Sequence, residues 1–247
     1  MRRRFFVEGF AENAAALRGE SAAHLTRVLR AEPGQLYELS DGRELWLARI
    51  ERVARDEIDF ALVERLPAAE PRLAVTLLLS IVKMDRFEWA LEKATELGVS
   101  EIVPLAAERS EKALVAAAGK RAPRWERILN ESAQQSRRLR APVLRPAALP
   151  QSAFSAANSA DLRIMLSERA PAVRMRAAVF PTSESGDTSD DIPRTFSLAI
   201  GPEGGWTDAE FAASAASGFV EATLGGNILR TETAVCAALS GILFSLG

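Results

Sequence analysis

Two glycine-rich stretches near the C-terminus hold the residues whose types and spacing can do chemistry. Ile200-Gly201-Pro202-Glu203-Gly204-Gly205 follows an apolar run that reads as a buried strand, and it leads into a helix. Glycines let a backbone approach a ligand closely, and free N–H groups near a helix start favour acceptor atoms. The spacing is neither the dinucleotide fingerprint nor the phosphate-binding P-loop, so the stretch alone reads equally well as a tight strand-to-helix turn. The second stretch, Leu224-Gly225-Gly226-Asn227-Ile228-Leu229-Arg230-Thr231-Glu232, also leaves a strand and enters a helix. Thr231 is a candidate N-cap there, with Arg230 and Glu232 beside it. In open α/β sheets ligands bind beyond the carboxyl ends of strands, so two such loops can enclose one small ligand. Spacing and composition reach a nucleotide-like ligand and leave the reaction open.

The elements that must position these loops change character along the chain. Gln35 to Ser40 and Leu45 to Ile50 flank Asp41-Gly42, the pattern of a β-hairpin. Glu57 to Val63 reads as the next strand, with one helix around His24 to Arg30, which together suggest a small β-barrel. Leu66 to Pro71 has two prolines and few large apolar groups, and the domain boundary falls there: 1–70 and 71–247. Beyond it strands alternate with helices. The strands are Leu73 to Ser80, Ile102 to Leu105, Asp161 to Leu166, Phe196 to Ile200 and Val220 to Leu224. The helices are Arg86 to Leu97, Arg124 to Arg138, Asp208 to Ser217 and Glu232 to Leu246, with Gly98 and Gly218 as stops. Alternation of this kind predicts an α/β fold with a parallel sheet covered on both faces. Ser183 to Arg194 reads as a polar surface loop.

Hydrophobic residues at 48% and charged residues at 26% are ordinary for a globular chain. One cysteine, Cys236, and one histidine, His24, cannot supply a usual transition-metal site or a disulfide framework, so no metal is expected. No signal peptide or membrane-length apolar run is found, and a cytoplasmic protein with no membrane partner is expected. The formal net charge is −2, yet nucleic-acid affinity follows the distribution of charge rather than its sum. Lys120 to Arg145 is strongly basic against only Glu126 and Glu131, and Met1-Arg2-Arg3-Arg4 forms a second cluster. The candidate RNA contacts are Arg2, Arg3, Arg4, Arg27, Arg30, Arg137, Arg138 and Arg140. The alternative for such runs is a solvated helix face.

GPEGGWTDAEF followed by LGGNILRTETAVCAAL resembles the C-terminal signature of the RsmE family, uridine-N3 methyltransferases of small-subunit ribosomal RNA within the SPOUT superfamily. Lys83 to Arg86 with Glu92 to Val99, Trp125 to Arg140, and His24-Leu25 with Val28 to Arg30 and Gly34 extend the resemblance over nearly the whole chain. It implies a PUA-like β-barrel in front of a SPOUT-type parallel sheet with a C-terminal trefoil knot. It also implies a homodimer, an RNA substrate within an assembled 30S particle, and S-adenosyl-L-methionine as cofactor. By that likeness the cofactor lies against Leu166-Ser167-Glu168 and against Leu198, Ile200, Gly201, Pro202, Glu203, Gly204 and Gly205. From the second stretch Leu224, Gly225, Asn227, Ile228, Leu229 and Thr231 join it.

Methyl transfer from a sulfonium is an in-line displacement, so much of the work is positioning. Uridine N3 is a poor nucleophile until its proton leaves, and a base or a cation near the imide oxygens helps. Arg230 suits the cation, with a phosphate contact as its alternative. Glu232 either orients Arg230, accepts the proton, or is a helix-start carboxylate that complements the macrodipole. Gly226 and Asn227 stand where the family pattern has proline and arginine, and Gln35 replaces an aspartate. His24 is assigned a helix-start or packing role in the small domain, not catalysis. Other readings are a ribose 2′-O-methyltransferase on another RNA and a non-catalytic RNA-binding assembly protein.

Overall fold

The computed structural model describes residues 3–69, 71–180 and 193–246. Arg2, the acidic stretch 184–191 and most of the expected 183–194 loop lie outside the described residues. The chain divides into two compact units, Met1–Glu70 with Asn130–Ala141, and Pro71–Leu129 with Pro142–Gly247.

The first unit contains β1 (Arg4–Phe6), β2 (Ala14–Arg18), α1 (Gly19–Arg27), β3 (Leu36–Ser40), β4 (Leu45–Val53) and β5 (Glu57–Leu66). These strands form one sheet in the order β1-β3-β4-β5-β2. The hairpin read at Asp41-Gly42 is present. Ser40 faces Leu45, Gly42 has φ +89°, and Asp41 Oδ1 accepts the N–H groups of Arg43 and Glu44 at 2.8 and 2.7 Å. The helix lies earlier than His24 to Arg30, because Arg30 at φ +51° cannot continue it. His24 therefore stands exposed in the last turn of α1, neither at its start nor packed. β2 was hidden in an alanine-rich sequence that favours helix. Its antiparallel pairing with β5 and the burial of Leu17 override that propensity.

The segment Asn130–Ala141 completes this unit. Ser40 Oγ donates to the Leu139 carbonyl at 2.6 Å, and Arg140 Nη1 donates to that of Gly42 at 3.3 Å. Arg4 donates to the Arg137 carbonyl and to Glu38 Oε2, at 2.9 Å in the latter case. Burial first, and the neighbouring Arg140 second, push the Arg138 guanidinium down to about 10.

The second unit runs β6 (Ala74–Ser80), α2 (Met84–Glu96), β7 (Glu101–Leu105), α3 (Lys112–Gln135, of which the residues from Asn130 belong to the first unit), β8 (Val143–Leu144), α4 (Pro150–Ala156), β9 (Leu162–Leu166), β10 (Val173–Arg174), α5 (Met175–Val179), β11 (Thr195–Ile200), α6 (Asp208–Ala216), β12 (Val220–Thr223) and α7 (Thr231–Leu246). Its seven strands form a parallel sheet in the order β10-β12-β9-β11-β6-β7-β8. Both faces are covered. Leu77, Leu79, Leu198 and Ile200 pack with Phe87 and Leu91 of α2 and Val235 and Leu239 of α7. Leu78, Met165 and Ala199 pack with Phe154 and Trp206 on the other side. The apolar stripe Phe87, Ala90, Leu91, Ala94 of α2 is buried, and Gly98 with φ +83° ends that helix as expected. α3 starts at Lys112 rather than at Arg124 and carries Pro123 inside it, and Trp125 stacks on Phe87 at 4.7 Å between ring centroids. No helix among the described residues is long and apolar enough to cross a membrane.

Arg4 is 11% exposed and Glu38 is 13% exposed, so removing the arginine leaves a largely buried carboxylate with Arg137 3.9 Å away as its remaining cation. Arg4→Ala is expected to lower unfolding stability by about 3 kcal/mol, whereas Arg18→Ala, which breaks an exposed pair, should leave it almost unchanged. Chemical unfolding of both variants checks the contrast.

Candidate functional site

Parallel pairing places the carboxyl ends of β6, β7, β9, β11 and β12 at one edge of the sheet. The connections that leave them are 81–83, 106–111, 167–172, 201–207 and 224–230. Both glycine-rich stretches are among these. A direct hydrogen bond joins them: Thr231 Oγ1 donates to the Gly201 carbonyl at 3.0 Å. Thr231 is accordingly the first residue of α7 and not its N-cap, and its hydroxyl serves the loop before it. The Arg230 carbonyl instead receives the Ala234 N–H.

The first loop is held from three sides. Trp206 packs on Gly201, where an added Cβ would stand 3.0 Å from the indole ring. The same indole donates Nε1–H to the Leu166 carbonyl at 3.0 Å, tying β9 to the loop after β11. Arg109 Nη1 donates to the Gly204 carbonyl at 2.8 Å. Glu210, 1% exposed, accepts the backbone N–H of Glu108 at 3.0 Å and of Thr207 at 2.8 Å. With Thr207 it forms the capping box that starts α6.

The second loop is more open. Gly225 has φ +141°, and nothing lies within 4 Å of a Cβ built on Gly225 or Gly226. The backbone of Gly226, Asn227 and Ile228 makes no hydrogen bond among the described residues. Leu224 and Leu229 are half-buried against the core, while Ile228 is 82% exposed. Free backbone groups beside half-buried leucines suit a ligand with a flat heterocycle, and the open side leaves room for one. The donor set thus fits an adenosine-bearing cofactor.

Among the other residues read from sequence, Ser167 N donates to the Ala222 carbonyl, and Glu168 is exposed. Leu198 and Ile200 are 0% and 2% exposed. Their side chains belong to the core beneath the loops. Pro202 is buried and Glu203 is exposed. The adjoining Arg169 grips Glu221 of β12 at 2.6 Å, and this bond, opposed in part by burial, holds the Glu221 carboxyl below its usual range.

Arg230 is exposed and its side chain has no partner among the described residues. Among the described residues no hydrogen bond or ion pair joins Glu232 to it. The Glu232 Oε1 atom lies 3.8 Å from Arg86 Nε, and Arg86 Nη1 donates to Glu203 at 3.0 Å. Glu232 Oε2 is buried with no hydrogen-bond partner among the described residues. Leaving a buried acceptor unpaired costs about 1–3 kcal/mol, and a carboxylate in a first helical turn gains about 0.3–1 kcal/mol from the macrodipole. The macrodipole alone does not account for this placement.

Arg86 and Arg109 are the site residues that the sequence reading did not single out. Arg86 lay inside a quoted motif, but its partners are more than a hundred residues away. A lone arginine after a strand gives no signal for Arg109. The basic run from Lys120 to Arg145 is less basic in space than in sequence. Arg121 and Arg124 face Glu88 at 3.7 and 2.7 Å, and Arg145 meets Glu101 at 2.6 Å. In the first unit, Arg3, Arg27 and Arg30 are exposed. Arg4 is taken up by Glu38, and Arg137 stands 3.9 Å from the same carboxylate. No group of three or more potential metal ligands occurs among the described residues.

A parallel α/β sheet with a two-loop ligand site at its carboxyl edge is joined here by a match to the RNA methyltransferase domain over residues 69–243. A Bacillus subtilis ribosomal RNA small subunit methyltransferase E is 30% identical over 241 residues, covering 93% of this chain and 89% of that protein. The Synechocystis protein of the same name is 32% identical over 222 residues, 89% of this chain and 69% of its own. The Neisseria gonorrhoeae ribosomal RNA small subunit methyltransferase E, solved bound to S-adenosyl methionine, superposes with a TM-score of 0.83 at 28% identity, covering 99% of this chain and 98% of that one. A Legionella pneumophila protein solved with the cofactor SAM bound gives 0.85 at 29% identity over 99% and 98%. The chain is an RNA methyltransferase. It belongs to the ribosomal RNA small subunit methyltransferase E (RsmE) family.

Gly201→Ala is expected to push Trp206 off the loop, because an aromatic ring at 3.0 Å cannot yield without losing its bond to Leu166. The expected cost is about 1–3 kcal/mol of stability, read as a lower thermal midpoint.

Proposed function

We propose that the protein transfers a methyl group from S-adenosylmethionine to N3 of a uridine in small-subunit ribosomal RNA. The observation that carries this reading is the joined pair of loops with the Arg230 guanidinium, which has no partner among the described residues, at one end. The names of the relatives and the cofactor in the Neisseria structure support it.

The cofactor, when bound, supplies a methyl group on a sulfonium. In this reading the open backbone of Gly226 to Ile228 and the half-buried Leu224 and Leu229 hold its adenosine, with Gly201 to Gly205 and Leu166 to Glu168 closing around the remainder. The work left to the chain is to place uridine N3 in line and to relieve it of its proton. Arg230 offers a permanent cation with a planar donor fork to an imide oxygen as negative charge develops on the ring. In this reading the Glu232 carboxylate either orients Arg230 or takes the N3 proton.

We assign residues 1–70 to a PUA-like RNA-binding barrel and 71–247 to a catalytic domain with a trefoil knot. The protein works as a cytoplasmic homodimer on an assembled 30S particle. Within the first unit, exposed Arg3, Arg27, Arg30 and Arg140 are the better candidates for phosphate contacts. Arg4, which is satisfied internally, is not. Arg2 joins the candidates from outside the described residues.

Mass spectrometry of nucleosides from small-subunit rRNA, in cells with and without the gene, tests the function. Loss of 3-methyluridine, restored by the wild type and not by Arg230→Ala, is the expected outcome. An unchanged profile, or a lost ribose methyl group, would sink it.

A further inference from the structure

Arg169 has no part in the function as stated, yet its side chain ties together elements that carry the loops of the site. It stands in the connection that leaves β9, next to Leu166, Ser167 and Glu168. Its guanidinium meets Glu221 of β12 as a fork: Nε donates to Oε1 at 3.0 Å and Nη2 to Oε2 at 2.6 Å. The face of the same guanidinium lies over the Phe211 ring of α6, 3.3 Å from its centroid. β12 runs into the second glycine-rich loop, and α6 is the helix that follows the first. Hydrogen bonds fix the residues in between. The Leu166 carbonyl accepts from the Trp206 indole, Ser167 N–H donates to the Ala222 carbonyl, and Arg169 N–H donates to Ser167 Oγ at 3.1 Å. The connection is thus held at Leu166 from the first loop and at Arg169 from β12 and α6.

We infer that Arg169 is a positioning residue for the cofactor: clamped by Glu221 and stacked on Phe211, it holds Leu166 to Glu168 in the shape that receives S-adenosylmethionine. The inference rests on the reading that these three residues close around the cofactor. A segment that samples several shapes binds in proportion to the time it spends in the competent one, so pinning it raises affinity without any new contact to the ligand. Folding stability alone does not account for the clamp. The Arg169 side chain is 44% exposed, and an ion pair so open to solvent adds little to folding. Arginine suits the position because its planar group offers an edge to the carboxylate and a face to the ring at the same time. A lysine ammonium is a point charge and cannot do both. Because β12 ends just before Leu224, the same clamp also sets the connection after β9 against the base of the second loop.

Calorimetric titration of S-adenosylmethionine into the wild type, Arg169→Gln, Glu221→Gln, the double variant and Arg169→Lys tests this. Thermal midpoints are measured alongside, with turnover at saturating cofactor on small subunits from cells lacking the gene. Each glutamine variant is expected to raise the cofactor Kd about tenfold, as for a segment that is competent about a tenth of the time. The double variant should bind no more weakly than the worse single variant, because both changes break one clamp. Arg169→Lys should recover only part of the affinity, since it keeps the charge and loses the fork and the stacking. Turnover at saturating cofactor should stay within about threefold of wild type, and the thermal midpoint close to it. An unchanged Kd for Arg169→Gln would overturn the inference. So would additive losses in the double variant, a loss confined to turnover at saturating cofactor, or weaker binding that only follows a fall in thermal midpoint. The wild type separates the two failures. If it binds no S-adenosylmethionine, the function and this inference fall together. If it binds the cofactor and forms 3-methyluridine with a Kd indifferent to Arg169, the inference alone falls.

Discussion

All seven strands of the second unit run in one direction, and that constraint settles where its chemistry can be. A parallel strand must be reached by a crossover, so the loops leaving the carboxyl ends collect at one edge of the sheet. Five connections separated widely in sequence become neighbours there. The hydrogen bond from Thr231 to the Gly201 carbonyl and the one from Trp206 to the Leu166 carbonyl make three of them one framework. The core on either face leaves the strands no freedom to move this edge. Leu77, Leu198 and Val235 are 0% exposed, and Phe154 and Met165 are equally enclosed on the opposite side. The loops are therefore precise at their bases, where the glycine-rich turn meets Trp206, and open at their tips around Gly225 and Gly226.

Charge follows a different logic in the two units. Exposed arginines on β4 and β5 of the first unit are met by acids: Arg49 by Glu51, Arg52 by Glu57 and Asp59, Arg65 by Glu44. Each such exposed pair adds little stability, but each cancels a cation that an anionic polymer would otherwise attract. Distribution, rather than the net charge of −2, then decides which face of the unit an anionic polymer can use. Exposed Arg3, Arg27 and Arg30, which have no acid partner among the described residues, fall outside those strands.

The sequence made the second unit legible because its signals are local. The continuous apolar run of β6, the stripe of α2 and the glycine stops at Gly98 and Gly218 each follow from a few adjacent residues. β2, α4 and α5 were missed for the opposite reason. An Ala-Ala-Ala-Leu-Arg segment becomes a strand only because β5 is beside it, and seven residues of α4 give too short a period to read. The site was legible to the same degree. Both glycine-rich loops, Arg230 and Glu232 were visible, since glycine and charge at a strand end stand out. Thr231 was misread as a cap, because a hydroxyl at a helix start can also donate outward, and only the Gly201 carbonyl decides between the two. The Arg86 contacts were not legible at all. Its carboxylate partners belong to β11 and α7 connections that come together only in the folded sheet.

The departure at Gly226 and Asn227 can be weighed against this arrangement. Where the family pattern has proline and arginine, this loop has no side chain and then a neutral one, so Arg230 is the only cation between Leu224 and Glu232. Of the three arginines around the loops, Arg86 is engaged by Glu203 and Glu232, and Arg109 by the Gly204 carbonyl. Arg230 alone is uncommitted among the described residues. A loop that has lost both a rigid ring and a second charge leans on its fixed ends for geometry, and those ends are the ones best secured. Thr231 is 5% exposed and bonded to Gly201, and the Ala222 carbonyl at the other end receives Ser167 N–H. Between those ends the backbone of Gly226, Asn227 and Ile228 makes no hydrogen bond among the described residues.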